Sequence, residues 1–326
     1  MRILHVTHND MDAVGCDVIV RIYCKENLGI DASSDEIKTC WCTATGASYA
    51  IIKEIEAIRC NAQQRMPTNI FISDISITEE CAKMLEKLSE MYGFEVKLFD
   101  HHVTNKLSET FPWCKVVLSS PPISATMILR NELFGSIDAD KYPGIDEFCD
   151  KVSRYDTWMW KKNPRDYSEE DYNTLCKFYG AASYSKRIVD SGFNFSIENF
   201  DKLVVDKFKE KSDADVLKYT NESRLAFVKD GDLMIAYALY SGDFGNAVME
   251  AIYENYPQVD IVANILPASR QISFRTNKQH VNVGEYAKKN YGGGGHPSAA
   301  GAMWIEMDIY LECLKTFYEN VGKGIQ

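Results

Sequence analysis

The sequence lacks the features of several specialised protein classes. Its 326 residues contain no apolar run near the ~18 residues that a membrane span requires, and Met1 leads into a strand-like run instead of a secretory signal segment. The ten cysteines include no Cys-x-x-Cys pair, and Cys40-Trp41-Cys42 alone is a weak zinc signal. With 36 basic and 47 acidic residues, a net charge of −11, the chain lacks the basic surface of a sheath for long nucleic acid. We therefore expect a cytoplasmic protein with reduced thiols and no membrane partner.

The chain is long enough for two domains, each with a core of its own. Short apolar runs alternate with helical patterns through the first half, which predicts an α/β fold with a doubly wound, mostly parallel sheet. A helix predicted over residues 197–212 has the Lys- and Glu-rich outer face of a connector, and the strand–helix pattern restarts near Arg224. We therefore predict a catalytic domain over 1–196, a helical linker over 197–223 and a smaller α/β domain over 224–326, with a final helix over 309–318.

Acidic and histidine side chains end three predicted strands of the first domain. The runs 2–7, 69–73 and 94–99 lead in turn to His8, Asp10 and Asp12, to Asp74, and to Asp100, His101 and His102. Open α/β sheets hold ligands in a crevice beyond the carboxyl ends of their strands, so we expect a metal site there. Asp156, on a helix predicted over 144–160, stands among aromatic and apolar residues and needs a cation or a metal as its partner.

The ligand types at this edge favour hard divalent cations. Carboxylates with one or two imidazoles suit Mn²⁺ or Mg²⁺, and clustered carboxylates need cations between them to stay ionised. Two ions ~3.5–4 Å apart would neutralise such a cluster and hold a phosphate. A plainer alternative is that these carboxylates cap helices one by one, above all Asp12 before a helix predicted over 13–23. His5, inside the first strand, fits a core or supporting residue better than a ligand.

A glycine-rich stretch marks the second domain. Residues 292–295 are four consecutive glycines followed by His296, and Arg275 ends a predicted strand of the same domain. Bare backbone amides of such a run can curl around an anion, and an arginine can hold a phosphate through two hydrogen bonds. The residues alone leave a flexible glycine loop equally open.

Together these motifs resemble the DHH phosphoesterase superfamily. The segments that carry the resemblance are His8-Asn9-Asp10-Met11-Asp12, Ser73-Asp74, Asp100-His101-His102 and Tyr155-Asp156, in that order. The tail, with Ser273-Phe274-Arg275 and residues 292–301, looks like the DHH-associated domain of many members. The resemblance covers nearly the whole chain, and within the superfamily the chain looks most similar to the nanoRNase/oligoribonuclease branch, in particular to its B-type members.

The resemblance implies a centre that holds two Mn²⁺ ions, with Mg²⁺ as the alternative metal. The metal ligands implied in this way are His8, Asp10, Asp12, Asp74, His101 and Asp156. Asp74 matches the carboxylate that bridges both metals, and Asp10 matches a ligand of the first metal. Many members place a longer gap between the first histidine and the Asp-x-Asp pair, whereas here only Asn9 separates His8 from Asp10.

Catalytic and substrate-holding roles follow from the same resemblance. His102 matches the histidine that faces the phosphate, and Asp100 matches the carboxylate that supports it. The substrate-holding positions implied in the second domain are Arg275, Gly293, Gly294, Gly295 and His296.

The resemblance implies a phosphodiesterase that degrades oligoribonucleotides of about two to five nucleotides to mononucleotides, in a cleft closed by the second domain. Some relatives also dephosphorylate 3′-phosphoadenosine 5′-phosphate. Three other activities stay open: a cyclic or linear dinucleotide phosphodiesterase of the c-di-AMP or pApA type, a RecJ-like single-strand exonuclease, and a pyrophosphatase or polyphosphatase. The glycine-rich stretch disfavours the last, and the complete ligand set disfavours a non-catalytic nucleotide-binding module. The oligomeric state is open, with a homodimer as one expectation.

Overall fold

The computed structural model describes residues 3–43, 46–60, 66–102, 105–135, 137, 139–162 and 168–303. Five side chains within these ranges lie outside the description, those of Arg59, Ala139, Lys162, Ser168 and His296. Internal contacts divide the chain into two compact units, Met1–Val205 and Asp206–Gln326. This division falls inside one long helix, and the domain boundaries at 196 and 223 stay a prediction. Over the described ranges, no helix combines the length and the apolar character that a membrane crossing requires.

The first unit is built on a five-stranded parallel sheet with helices around it. Its strands are β1 (Ile3–Thr7), β2 (Ile37–Trp41), β3 (Asn69–Ser73), β4 (Glu95–Asp100) and β5 (Cys114–Val116). Its helices are α1 (Met11–Leu28), α2 (Ala47–Arg59), α3 (Glu79–Tyr92), α4 (Ala125–Leu133), α5 (Ile145–Asp156), α6 (Met159–Lys162), α7 (Ser168–Tyr179) and α8 (Ala181–Asp190). The predicted α/β class is thereby confirmed.

The strand order decides where a ligand can bind. The order is β2-β1-β3-β4-β5, so the chain moves one way from β1 to β2 and the other way from β1 to β3. Such a reversal opens a crevice beyond the carboxyl ends of the two strands that flank it. The crevice therefore lies where β1 ends at Thr7 and β3 ends at Ser73, with β4 next to β3.

The two faces of this sheet are chemically different. Leu4 and Val6 of β1 join Ile70 and Ile72 of β3 in an apolar core packed against α2 and α3. Because side chains alternate along a strand, the residues between them point to the opposite face, which α1 covers. On that face β1 and β3 contribute polar residues, including His5, that are fully buried.

The second unit contains a six-stranded mixed sheet in the order β10-β11-β9-β8-β7-β6. Its strands are β6 (Leu225–Asp230), β7 (Leu233–Leu239), β8 (Ile261–Leu266), β9 (Gln271–Arg275), β10 (Gly294–His296) and β11 (Ala299–Met303). Its helices are the second half of α9 (Asn199–Tyr219), α10 (Gly245–Asn255) and α11 (Val283–Tyr291). Only β7 and β8 pair in parallel, and the two faces carry separate apolar cores.

Some elements differ from the sequence-based expectation. Strands β2, β6 and β10 were not predicted, and the helix expected over 144–160 is two helices, α5 and α6, that part after Asp156. Trp158 stands in this break with a φ of 61°, a left-handed conformation that no helix can continue through. The helix expected over 309–318 lies outside the described residues.

Close contact between α1 and α4 depends on the absence of a side chain at Gly15. A β-carbon at this position would overlap the hydroxyl of Thr126, and that hydroxyl donates to the Asp12 carbonyl at 2.7 Å. We expect Gly15→Ala to lower the free energy of unfolding by about 1–3 kcal/mol, because the core has no room for a methyl group. Urea denaturation would measure this, with Gly135→Ala as the control, since a β-carbon there meets open space. Equal stability of the two variants would contradict the packing described.

Candidate metal centre

Helix α1 follows β1 after three residues and has two carboxylates at its start, one at the N-cap and one in the first turn. Asp10 is the N-cap residue, and its Oδ1 accepts a hydrogen bond from the Ala13 amide at 3.1 Å. The expectation that Asp12 caps this helix is therefore wrong, because the helix begins two residues earlier than predicted. Asp12 lies inside the first turn and is almost fully buried.

Asp12 instead caps a different helix. Its two oxygens accept hydrogen bonds from the first amides of α4, at 2.9 Å from Ala125 and 3.0 Å from Thr126. The partly positive end of α4 thus stabilises the charge of a carboxylate that stands 113 residues away in sequence. Ser124 is the formal N-cap of α4, yet its side chain makes no capping bond. No local sequence pattern links Asp12 to α4, so sequence reasoning missed this contact.

Asp74 occupies the centre of the crevice in an unusual backbone conformation. It has a φ of 55°, and its amide donates to the Phe99 carbonyl at 3.0 Å, which ties the end of β3 to β4. A non-glycine residue in the left-handed region costs energy and often marks a functional site. Burial raises the pKa of Asp74 well above its usual range, and the nearby carboxylates Asp10 and Asp12 raise it further.

Asp100 at the end of β4 is fully buried and fully hydrogen-bonded. Its Oδ1 accepts from the His102 Nδ1–H at 2.7 Å, and its Oδ2 accepts from the Asn105 side chain at 2.7 Å and from the Ser76 hydroxyl at 3.2 Å. These bonds outweigh the effect of burial and lower the pKa of Asp100. Both oxygens of Asp100 are therefore occupied by hydrogen bonds, one of which orients His102. Ser76 and Asn105 were not predicted from the sequence to take part.

Three overlapping groups of candidate ligand atoms lie around Asp74, one of them made of Asp74, Asp100, His101 and His102. The other two contain only the predicted metal ligands. One group brings together His8, Asp10 and Asp74, and the other brings together Asp12, His101 and Asp156. His101 Nε2 lies 3.4 Å from Asp74 Oδ1 and 3.4 Å from Asp156 Oδ2, so the two groups meet at Asp74. Within each group the ligand atoms lie within 4.8 Å of one another. Donor atoms at such spacings surround a common space that a cation can fill.

Three buried polar atoms in this cluster have no hydrogen-bond partner. They are Asp74 Oδ2, His101 Nε2 and Asp156 Oδ2. Burial and then the charges of Asp12 and Asp10 raise the pKa of Asp156, while burial lowers the pKa of His101. Unpaired buried donors and acceptors are costly, and clustered carboxylates repel one another. A divalent cation would satisfy these atoms together, so the residues present fit a metal pair.

His8 stands beside this cluster and pairs with Asp10. Its Nδ1–H donates to Asp10 Oδ2 at 2.7 Å, which raises the pKa of His8 and, against the effect of burial, lowers that of Asp10. The short spacing between the two residues therefore still lets His8 join the first group.

Arg275 is the charged side chain among the candidate residues described in the second unit. The Arg275 guanidinium donates to the Phe274 carbonyl at 3.0 Å and to the Asn246 amide oxygen at 3.3 Å, and its Nε is buried without a hydrogen-bond partner. Burial lowers the pKa of this side chain. Its partners are thus neutral oxygens, which leaves its charge uncompensated by them and suited to an anion.

The glycine-rich stretch is not an open loop throughout. Gly294, Gly295 and His296 form β10, the edge strand that pairs with β11, while Gly293 precedes it. A β-carbon at Gly295 would overlap the Ala299 carbonyl, and the φ of 149° at Gly295 is one that side chains rarely adopt. Glycine is therefore needed here for close strand pairing as well as for any contact with an anion. The side chain of His296 lies outside the described residues.

Known proteins resemble this chain along most of its length. No family model matches the chain. Over 311 residues the chain is 24% identical to oligoribonuclease NrnB of Bacillus subtilis strain 168. The aligned region covers 93% of this chain and 73% of that protein. The chain is thus similar over most of its length to an oligoribonuclease.

Solved structures show the same fold. The DHH domain of PF0399, a member of the S1p family of ribosomal proteins, superposes on 98% of this chain and 86% of that chain, with a TM-score of 0.66 and 15% identity. The pGpG-specific phosphodiesterase PggH of Vibrio cholerae superposes on 98% and 99% of the two chains, with a TM-score of 0.52 and 16% identity. These likenesses establish the two-domain α/β fold.

Replacing Asp74, where the two ligand groups meet, should have opposite effects on metal binding and on the stability of the metal-free fold. We expect Asp74→Asn to lose most of its affinity for Mn²⁺, because both ligand groups meet at Asp74. A carboxyl whose pKa is raised by folding destabilises the fold as pH rises above its unfolded pKa of about 4, so the metal-free variant should melt higher than metal-free wild type at pH 7. Isothermal titration with Mn²⁺ and thermal melts in EDTA would measure both effects. The exposed Asp35, replaced by alanine, is the control, and undiminished Mn²⁺ binding by Asp74→Asn would contradict the assignment.

Replacing Asp100 should change the protonation of His102. The hydrogen bond from His102 to Asp100 raises the pKa of His102, so this imidazole stays protonated to higher pH than an ordinary histidine. Asp100→Asn keeps an acceptor but removes the charge, and we expect the pKa of His102 to fall. An NMR titration of the His102 ring protons in metal-free protein would measure this, with His102→Gln used to assign the signals. An unchanged pKa would show that Asp100 does not control His102.

Proposed function

We propose that this protein is a divalent-metal-dependent phosphodiesterase that degrades short oligoribonucleotides to mononucleotides. The observation that carries the proposal is the pair of ligand groups that meet at Asp74, with buried ligand atoms that lack partners. Two divalent ions in such a site stabilise both the attacking and the leaving oxygen of a phosphoryl displacement. The name of the B. subtilis relative, an oligoribonuclease, supports short RNA as the substrate class.

The donor set supports Mn²⁺ over Mg²⁺ as the metal. Each of the two groups offers one imidazole nitrogen, from His8 in the first and from His101 in the second. Mg²⁺ strongly prefers oxygen ligands and retains water, whereas imidazole is a common ligand of transition metals. We therefore expect Mn²⁺ to support higher activity than Mg²⁺ at equal concentration.

His102 is the residue proposed to act on the substrate. Its Nδ1–H is held by Asp100, so Nε2 is the nitrogen that can donate to a phosphate oxygen or to the leaving oxygen. The ring is 37% exposed, whereas the neighbouring His101 ring is 15% exposed. The two histidines therefore have different proposed roles. His101 lies within its ligand group, and His102 holds a proton where the substrate can reach it.

Aromatic side chains next to Asp156 support a nucleotide substrate. The Tyr155 and Trp160 rings stack at 5.5 Å with an interplanar angle of 22°, and Trp158 is 40% exposed. The Lys161 ammonium lies 5.6 Å from the Trp158 ring centre and 5.0 Å from that of Trp160. Exposed aromatic faces stack on nucleobases, and a nearby cation suits a phosphate. A pyrophosphatase needs no such surface, which disfavours that alternative.

Arg275 and the glycine-rich stretch are proposed to hold the substrate in the second unit. The half-buried guanidinium without an acidic partner among its hydrogen bonds, together with the β10 edge, offers donors to a phosphate. Dephosphorylation of 3′-phosphoadenosine 5′-phosphate needs the same chemistry at a terminal phosphate and is proposed as a secondary activity. A dinucleotide phosphodiesterase remains the second candidate, because the PggH structure shares this fold.

A time course with Mn²⁺ on 5′-labelled RNA dinucleotides and on a long single-stranded RNA tests the proposal. We expect rapid conversion of the dinucleotides to mononucleotides while the long RNA stays nearly intact. The His102→Gln variant serves as the inactive control, since it keeps the metal ligands. Processive loss of the long RNA would instead indicate a RecJ-like exonuclease. Cleavage of neither RNA would overturn the proposal, and cyclic dinucleotides would then be the next substrates to test.

A further inference from the structure

A chain of buried polar side chains runs below the metal centre, on the sheet face that α1 covers. Asp17 of α1 and His5 of β1 are at most 1% exposed, and their side chains join at 3.0 Å through His5 Nδ1. Neither residue belongs to the ligand groups described above. Buried polar groups of this kind are expensive, and apolar residues would fill the same space at lower cost. Their presence therefore calls for a reason beyond packing.

Asp17 gathers donors from four elements of the first unit. Beside His5 of β1, its carboxylate accepts from Arg21 Nε of α1 at 2.8 Å, from the Thr39 hydroxyl of β2 at 2.6 Å and from the Ser185 hydroxyl of α8. These donors outweigh the effect of burial and lower the pKa of Asp17. The result is a fixed polar junction that sets α1 against β1, β2 and α8.

The chain of contacts then continues to the residue before Asp74. His5 Nε2 lies 2.8 Å from the Ser73 hydroxyl, which donates to the Thr7 hydroxyl at 3.0 Å, and Thr7 donates to the Ser73 carbonyl at 3.0 Å. Both the side chain and the carbonyl of Ser73 are thus held. Ser73 is also the last residue of the β1–β3 ladder, so these side chains fix the backbone where the ladder stops.

We propose that the Asp17–His5–Ser73 chain is a positioning element for the metal centre. Its inner end is fixed to α1, the helix that presents Asp10 and Asp12. Its outer end holds Ser73, and the next residue of the polypeptide, Asp74, has the left-handed conformation. The element therefore sets the distance between the carboxylates of α1 and the Asp74 carboxylate, where the two ligand groups meet. This inference rests on the proposed metal centre.

Substitutions at His5 separate the two contacts of this element. His5→Leu removes both contacts. His5→Gln places an amide near the position of Nε2 and can keep the contact with Ser73, whereas His5→Asn places one near Nδ1 and can keep only the contact with Asp17. The readout is Mn²⁺ binding, measured as loss of the free-ion electron paramagnetic resonance signal, together with the spin-coupled signal of a bound Mn²⁺ pair.

We expect His5→Leu and His5→Asn to weaken Mn²⁺ binding by about 10–100-fold and to reduce the spin-coupled signal, as removal of residues that support metal ligands does. His5→Gln should lose affinity as well, because it breaks the contact with Asp17 and with it the connection to α1. Near wild-type affinity and coupling in all three folded variants would overturn the proposal. If His5→Leu does not fold, His5→Gln and His5→Asn decide the question, and near wild-type affinity in both of them would overturn the proposal.

Asp201→Asn controls for a loss of stability alone. Asp201 is a buried carboxylate of the same unit that accepts from the Tyr179 hydroxyl at 2.6 Å and from Arg187 at 3.1 Å. We expect this variant to melt lower than wild type yet to bind Mn²⁺ within about twofold of wild type. A matching loss of Mn²⁺ affinity in Asp201→Asn would overturn the positioning role. Wild-type protein that binds paired Mn²⁺ but cleaves no RNA would overturn only the proposed function, while wild-type protein that binds no Mn²⁺ would overturn both.

Discussion

Mutual repulsion among carboxylates crowded into one crevice is the constraint on which this molecule depends. Asp10, Asp12, Asp74 and Asp156 converge where the sheet order reverses, and burial makes their charges costly. The surrounding structure lowers part of that cost with helix amino termini and hydrogen-bond donors. Bound cations would lower the remaining cost of the carboxylate charges. The fold of the first unit is thus a scaffold that keeps acidic groups closer than they would stand in water.

The acidic residues fall into two classes by how their oxygens are used. Asp12, Asp17 and Asp100 have their oxygens bound by backbone amides or side-chain donors, and they fix the geometry. Asp74 and Asp156 each keep a buried oxygen without a partner. The first class is satisfied by the protein itself, whereas a bound cation would satisfy the unpartnered oxygens of the second. The difference between the classes is visible in hydrogen bonding and not in residue type.

The sequence allowed the edge of the sheet to be predicted because the relevant signals are local. The buried runs of β1, β3 and β4 each end next to an acidic residue or histidine, and alternation with helices implies parallel strands whose ends meet. Strand β2 escaped prediction because only its first residue, Ile37, is buried. The strand character of β10 depends on pairing with β11, which residues 294–296 alone do not encode.

Contacts between distant residues could not be predicted, because no local sequence signal encodes them. The bonds from α4 to Asp12 span more than a hundred residues, and those from His5 to Ser73 span 68. Single side chains of these types are common in helix starts and strands, so neither pair carries a pattern in one sequence. His5 could be placed in the core from its strand position, yet its two partners emerged only once the strands were set side by side.

The backbone at Asp74 has a consequence for how this position can vary. A φ of 55° is one that glycine adopts freely and that most other residues adopt only at a cost of about 1–3 kcal/mol. The conformation and the chemistry therefore favour different amino acids at one site. Glycine here would relieve the backbone conformation and remove the carboxylate in the same substitution. Backbone stability at the end of β3 and a candidate metal ligand therefore cannot both be maximised at this position.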